Sequence, residues 1–126
     1  MELEMSIEHS LVEKCLKKVI DTDHDEIKGV FVFPQDFPAF EGHFPGQPVL
    51  PAVVQLAAAR LLAAKHLGRQ LVPISVDRAK FKAMVGPNEP MTITISFDQS
   101  GNDVTISFSI TSETKKIATG EIVCRS

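Results

Sequence analysis

The stretch from Pro48 to Gly68, PVLPAVVQLAAARLLAAKHLG, decides the fold. Pro51 stands at the predicted first position of a helix, where a missing N–H costs nothing. The residues from Ala52 to Leu67 are rich in Ala and Leu, the strongest helix formers, and Gly68 supplies a stop. Apolar residues occupy nearly every face of this helix, so nearly every face is expected to be buried. Gln55, Arg60, Lys65 and His66 interrupt the run, which is too short and too polar for a membrane span. A flat sheet covers only one side of such a helix. The expected solution is a sheet curled around it.

Upstream lies a loop punctuated by Pro34, Pro38, Pro45, Pro48 and Pro51. Prolines at this density exclude regular helix and inner strand. They stiffen the loop and hold its side chains in place. Downstream, MTITISF alternates Met91, Ile93, Ile95 and Phe97, and VTISFSI alternates Val104, Ile106, Phe108 and Ile110. Period two marks strands with one buried face. DQSGND joins them as a turn. Ala118, Gly120, Ile122 and Cys124 alternate in a last strand, and ISVDRAKFKAMV is a further one, ended by the turn GPNEP. Before the loop, IKGVFVF reads as a strand, preceded by the turn signal DTDHDE at 21–26. The segment from Leu11 to Ile20 has two readings. Its spacing favours a helix, and a strand pairing across that turn is the rival. Antiparallel strands plus one long buried helix give an α+β class, in a single domain over 1–126.

Composition bounds the function. The chain has 126 residues, 44% hydrophobic and 23% charged, which is globular composition. A net charge of -3 and a pI near 5.8 argue against nucleic acid as the main partner. The opening MELEMSIEHS lacks a basic region followed by an apolar run, so no signal peptide is expected. Cys15 and Cys124 form no metal or redox spacing and read as buried reduced thiols. Together these features point to a cytoplasmic protein without a membrane partner. Eight Phe with no Trp or Tyr fit an apolar core or acyl pocket rather than a stacking platform.

The run Phe40-Glu41-Gly42-His43-Phe44-Pro45-Gly46-Gln47-Pro48-Val49-Leu50-Pro51-Ala52-Val53-Val54-Gln55-Leu56 closely resembles the signature of 3-hydroxyacyl-acyl-carrier-protein dehydratases. Val76-Asp77-Arg78-Ala79-Lys80-Phe81 and the turn from Gly86 to Glu89 resemble that family's strand after the helix. The similarity covers roughly residues 10 to 125. It implies a hotdog fold, an antiparallel sheet wrapped around the central helix. It also implies a homodimer, or a higher assembly of dimers, with active sites between subunits. It favours the strand over the helix for the segment up to Ile20. The implied substrate is an acyl thioester of acyl carrier protein or coenzyme A in fatty-acid or related acyl metabolism.

Dehydrating a 3-hydroxyacyl thioester needs a base for the C2 proton, stabilisation of negative charge on the thioester oxygen, and a proton for the departing hydroxyl. His43 suits the first task, because imidazole titrates near neutral pH. In the resembled family, that is the role of the loop histidine. Backbone donors suit the second. The N–H of Gly46 and the helix start at Pro51, Ala52 and Val53 are the candidates. Gln55, Ala57 and Phe81 complete the expected substrate-binding set.

The third task exposes a departure from the resembled family, which carries a Glu or Asp on the central helix. Counted from His43, that position is Ala57, and the helix holds no carboxylate between Pro51 and Gly68. A positioned general acid contributes about 10²–10⁴-fold. Gln55 can orient a water but cannot protonate, and Arg60 stays charged. The family pattern also has Gly where this chain has Ala52. Glu41 reads as a solvated loop carboxylate. No cofactor and no metal is expected, since His9, His24, His43 and His66 are too scattered for a zinc set. His66 near the helix end is expected to meet terminal carbonyls. Arg78, Lys80 and Lys82 alternate, so they are expected to share one strand face. That face is either solvated or a patch for the phosphopantetheine phosphate or an acidic carrier. Phe37, Phe40 and Phe44 read as packing residues that could line a tunnel mouth.

Three functions are compatible. The first is a dehydratase, a hydro-lyase with His43 as base. The second is a non-catalytic acyl-thioester binder, or the silent half of a heteromeric dehydratase, which the missing carboxylate favours and the retained His43 opposes. A thioesterase on the same fold ranks last.

Overall fold

The computed structural model describes residues 14–23, 25–40, 49–113 and 115–126. Six strands, β1 (Leu16–Asp23), β2 (Glu26–Phe31), β3 (Val72–Phe81), β4 (Met91–Ser100), β5 (Asp103–Thr111) and β6 (Lys116–Arg125), form one antiparallel sheet in the order β1-β2-β4-β5-β6-β3. Among the described residues one α-helix, α1 (Ala52–Leu67), runs between β2 and β3 in sequence. Strands and helix make the α+β class, with the helix packed on the sheet's inner face.

Alternation decides that face. Met91, Ile93 and Ile95 on β4, and Val104, Ile106, Phe108 and Ile110 on β5, are all buried. So are Ala118, Ile122 and Cys124 on β6. In α1 the buried side is Val54, Gln55, Ala58, Ala59, Leu62 and Ala63, which is a helical stripe. Three of these are alanines, which let the helix sit close to the sheet. Closest approach falls at Gly29 of β2, where an added Cβ would lie 2.9 Å from Leu62 Cδ2. The helix ends as expected at Gly68, whose φ of 71° is left-handed and whose N–H donates to Ala64 O.

Several expectations change. Pro51, with φ -63° and ψ 149°, is the residue before the helix rather than its first residue, which is Ala52. The segment from Leu16 to Asp23 is a strand, as the resemblance implied and against the helical spacing. The earlier part, residues 1–13, lies outside the described residues. Not every face of α1 is covered within the chain: Val53 is 70% exposed, and Leu56, Ala57 and Leu61 are only half-buried. Arg78, Lys80 and Lys82 do not simply share a strand face. Arg78 takes a φ of 55° where the β3–β6 register slips, and Lys82 lies beyond the end of β3.

β1 and β3 are the edges of the sheet. On β3, Val76 pairs with buried Ile122 and Phe81 with buried Ala118, so both face inward. They are nevertheless 43% and 41% exposed, because the sheet's apolar face extends past the helix.

Candidate active site

A cavity of about 420 Å³ opens beside the N-terminus of α1. One wall is Val49, Leu50, Pro51 and Ala52, with Gln55 one turn into the helix. The other wall is Phe81, Lys82, Ala83 and Met84, where the chain leaves β3. The volume and the mostly apolar lining suit a small-molecule or acyl site.

Backbone bonds fix the two walls together. Leu50 N–H donates to Val85 O at 2.7 Å. Lys82 N–H donates to Ile117 O at 2.7 Å, and Asn88 N–H to Phe33 O at 2.7 Å. Lys115 Nζ braces the same loop, donating to Met84 O at 2.7 Å and pairing with Glu89 Oε2 at 3.2 Å. Beneath the neighbouring loop, Phe33 packs edge-on to Phe37 with ring centres 5.1 Å apart, and Phe37 and Phe40 are both buried in the core. They act as packing residues.

The helix start offers donors. Its first-turn N–H groups carry partial positive charge, and Pro51 supplies no side-chain cap to occupy them. Val54 and Gln55 N–H groups turn back to Pro51 O, which leaves those of Ala52 and Val53 at the helix mouth, where Ala52 lines the cavity.

Gln55 is 3% exposed and, among the described residues, the one buried polar side chain. Its Nε2 donates to Leu50 O at 3.3 Å. Its Oε1 is buried and has no hydrogen-bond partner among the described residues. An unpaired buried acceptor costs about 1–3 kcal/mol, and on a residue that lines the cavity it calls for a partner.

Of the residues singled out from the sequence, Pro51, Ala52, Gln55 and Phe81 converge on this cavity. Val53 and Ala57 do not. They share the other helix face, one turn apart, which stays open in the isolated chain. His43 and Gly46, like Glu41 and Phe44, lie outside the described residues. Sequence reasoning missed Val49, Leu50, Ala83 and Met84 as lining residues, and had Lys82 only as a member of the basic face with Arg78 and Lys80. Their signal was adjacency to the motif and to Phe81. His66 stacks on Phe97, with ring centres 5.5 Å apart and planes 9° from parallel, a contact not anticipated. Arg60 donates to Leu71 O at 3.1 Å, away from the cavity. Burial pushes the Cys15 thiol up to about 11, with Lys17 and Lys14 opposing weakly, and burial also raises Cys124. Neither is in the cavity wall. No group of three His, Cys, Asp or Glu among the described residues could hold a metal ion. No helix among them is long and apolar enough to cross a membrane.

The sheet order and the long helix packed on the sheet define a hotdog fold. Solved structures share it: the dehydratase heterocomplex ApeI:P from Xenorhabdus doucetiae has a TM-score of 0.73 at 22% identity, covering 87% of this chain and 96% of that one. The PaaI protein from the E. coli phenylacetic acid degradation operon has a TM-score of 0.70 at 14% identity, covering 100% of this chain and 92% of that one. At such identities these likenesses establish the fold alone. Residues 19–121 match the family model described as ApeI-like, ApeI dehydratase, and the chain belongs to that family. Among curated relatives, the 3-hydroxyacyl-(acyl-carrier-protein) dehydratase FabZ of Rickettsia felis is 32% identical over 107 residues, covering 78% of this chain and 74% of the relative. The FabZ of Rickettsia massiliae is 34% identical over 102 residues, covering 75% and 68%.

Proposed function

We propose that this chain is a single domain that dehydrates a 3-hydroxyacyl thioester, carried by acyl carrier protein or coenzyme A, in the cytoplasm. The observation that carries the reading is the cavity at the start of α1, where Pro51, Ala52, Gln55 and Phe81 meet. These are residues of the dehydratase motif and of the strand that follows it. The acyl chain lies in the cavity against Phe81. The thioester oxygen sits at the N–H groups of Ala52 and Val53, with Gly46 as a further donor, and the helix dipole favours its developing charge. His43 takes the C2 proton. The electron pair forms the C2–C3 double bond, the C3–O bond breaks, and the oxygen leaves as water once it has received a proton.

That last proton is the weak point. Ala57 stands where a carboxylate is expected, and it faces away from the cavity on the open side of the helix. Val53 on α1 is exposed, as are Val76 and Phe81 on β3, which is an edge strand of the sheet. A second subunit would cover this apolar surface. In a homodimer both subunits carry Ala57. This observation favours a second reading, in which the chain is the binding or silent half of a heteromeric dehydratase whose other subunit carries the acid. The likeness to the ApeI:P heterocomplex supports the same arrangement.

The test incubates the purified protein with a 3-hydroxyacyl thioester. Release of water with an enoyl thioester supports the first reading. Binding without turnover, relieved by a carboxylate-bearing partner, supports the second. Free thiol indicates hydrolysis and overturns both. A His43→Ala variant with full activity removes the assignment of the base.

A further inference from the structure

We propose that Gln55 reads the 3-hydroxyl of the acyl chain, accepting its O–H through Oε1. The proposal rests on the acyl-thioester reading of the cavity. Gln55 is the fourth residue of α1, and its side chain turns back toward the helix start, as helical side chains do. It reaches Leu50 O, five residues earlier, through Nε2. A carbonyl oxygen only accepts, so the edge facing Leu50 must be the amide NH₂. This fixes the orientation of the side chain. The remaining edge is Oε1, buried and without a partner among the described residues, on a residue that lines the cavity.

The surrounding atoms close this oxygen off in the unliganded chain, so a ligand meets it only by moving in beside the Gln55 side chain; as an amide oxygen it accepts and cannot donate. It therefore cannot serve the thioester oxygen or the enolate that forms from it, since both are acceptors. The ligand group that satisfies it must carry a hydrogen on oxygen or nitrogen. In a 3-hydroxyacyl thioester the acyl portion has one such group, the hydroxyl on C3. Gln55 follows Ala52 and Val53 by three and two residues, about 3–4.5 Å along the helix axis, and its side chain turns back toward the N–H groups assigned to the thioester oxygen. That separation suits an oxygen on C1 and an oxygen on C3 of the same chain. The bond to Gln55 orients the C3–O bond before it breaks. Dehydration then removes the only donor of the acyl portion, so the enoyl product binds less well than the substrate. The consequence is discrimination: the site selects 3-hydroxyacyl over saturated and 3-methoxyacyl chains of equal length, since neither of those has a donor at C3.

The experiment measures binding by calorimetry in a His43→Ala background, which blocks turnover. The ligands are the 3-hydroxyacyl, 3-methoxyacyl and saturated acyl thioesters of coenzyme A, matched in chain length. The expected result is a preference of roughly fivefold to tenfold for the hydroxyl compound over the other two, the size of one hydrogen bond. Adding Gln55→Met, which keeps length and removes the acceptor, should level all three affinities while the saturated chain still binds. Equal binding of all three ligands before Gln55 is changed overturns the proposal and leaves the acyl-thioester site standing. A preference that survives Gln55→Met in a folded protein overturns it too. Failure of every acyl thioester to bind overturns both. The ligand comparison needs no change at Gln55, so it holds even if Gln55→Met does not fold.

Discussion

Replacing Ala57 by Glu should convert a slow dehydratase into a fast one. The side chain at 57 lies two residues beyond Gln55, about 200° around the helix axis at 3.6 residues per turn. Gln55 is buried against the cavity, whereas Ala57 is half-buried on the opposite, open face with Val53. Ala57 packs against the margin of the core, so a glutamate there keeps its stem at that margin and extends its carboxylate outward. Its cost to the helix stays below about 0.7 kcal/mol, the spread of ordinary helix propensities. A positioned acid is worth about 10²–10⁴-fold in rate, or about 3–5 kcal/mol at 1.36 kcal/mol per tenfold. Because the face at 57 points out of its own subunit, the carboxylate acts in a site shared with a neighbour. The gain should therefore disappear when the protein is diluted to monomers. The assay follows the conjugated enoyl thioester by its absorbance, for both proteins, across a concentration series. A folded Ala57→Glu variant with an unchanged rate would refute the reasoning. So would an unmodified protein that already matches it, since an acid would then exist elsewhere.

Other outcomes follow from packing and charge. An added Cβ at Gly120 would lie 2.8 Å from Phe108 Cζ and 3.0 Å from the Ala79 backbone, whereas at Gly29 it meets only side-chain ends of Leu62 and Leu16. Urea denaturation should show Gly120→Ala losing about 1–3 kcal/mol and Gly29→Ala losing less; the reverse order would contradict this packing. Val76→Asp puts an unpaired carboxylate into the apolar surface expected to be covered by a second subunit, a penalty expected to split the dimer. Sedimentation should then report a monomer where the parent is a dimer. Cys15 has its thiol raised from 9.0 to about 11 by burial, so the folded state holds its proton where the unfolded chain has lost it. Its contribution to stability is complete below pH about 9 and disappears as pH rises through about 11. Stability measured by denaturation across that window should fall less steeply for Cys15→Ala than for the parent.

The clean alternations of β4 up to Ile95 and of β5 made those strands plain in the sequence, because their inward residues are buried and their pairing with each other has no irregularity. β1 was less legible. Its pairing with β2 slips between Leu16 and Lys18 and again between Asp21 and Asp23. Its apolar Val19 and Ile20 remain 40% and 37% exposed at the sheet edge. Slips of this kind destroy period two and leave apolar residues at spacings that imitate a helix. The same effect in β3, around Arg78, broke the expected alternation of the basic residues. In the candidate site, the wall supplied by the motif was legible, since Pro51, Ala52 and Gln55 are close in sequence. The opposite wall was not. Ala83 and Met84 reach the cavity through long-range bonds such as Leu50 N–H to Val85 O, which no local pattern reveals. The missing carboxylate was legible as an absence. That Ala57 and Gln55 face different ways became clear only when the helix was seated on the sheet.

Removal of the C2 proton requires the base and the oxyanion site but not the missing acid, so hydrogen exchange at C2 probes the core of the mechanism directly. In deuterated water the unmodified protein should place deuterium at C2 of a bound acyl thioester, and the His43→Ala variant should not. Equal exchange with and without the imidazole, or none from the unmodified protein while the thioester is bound, would contradict the account.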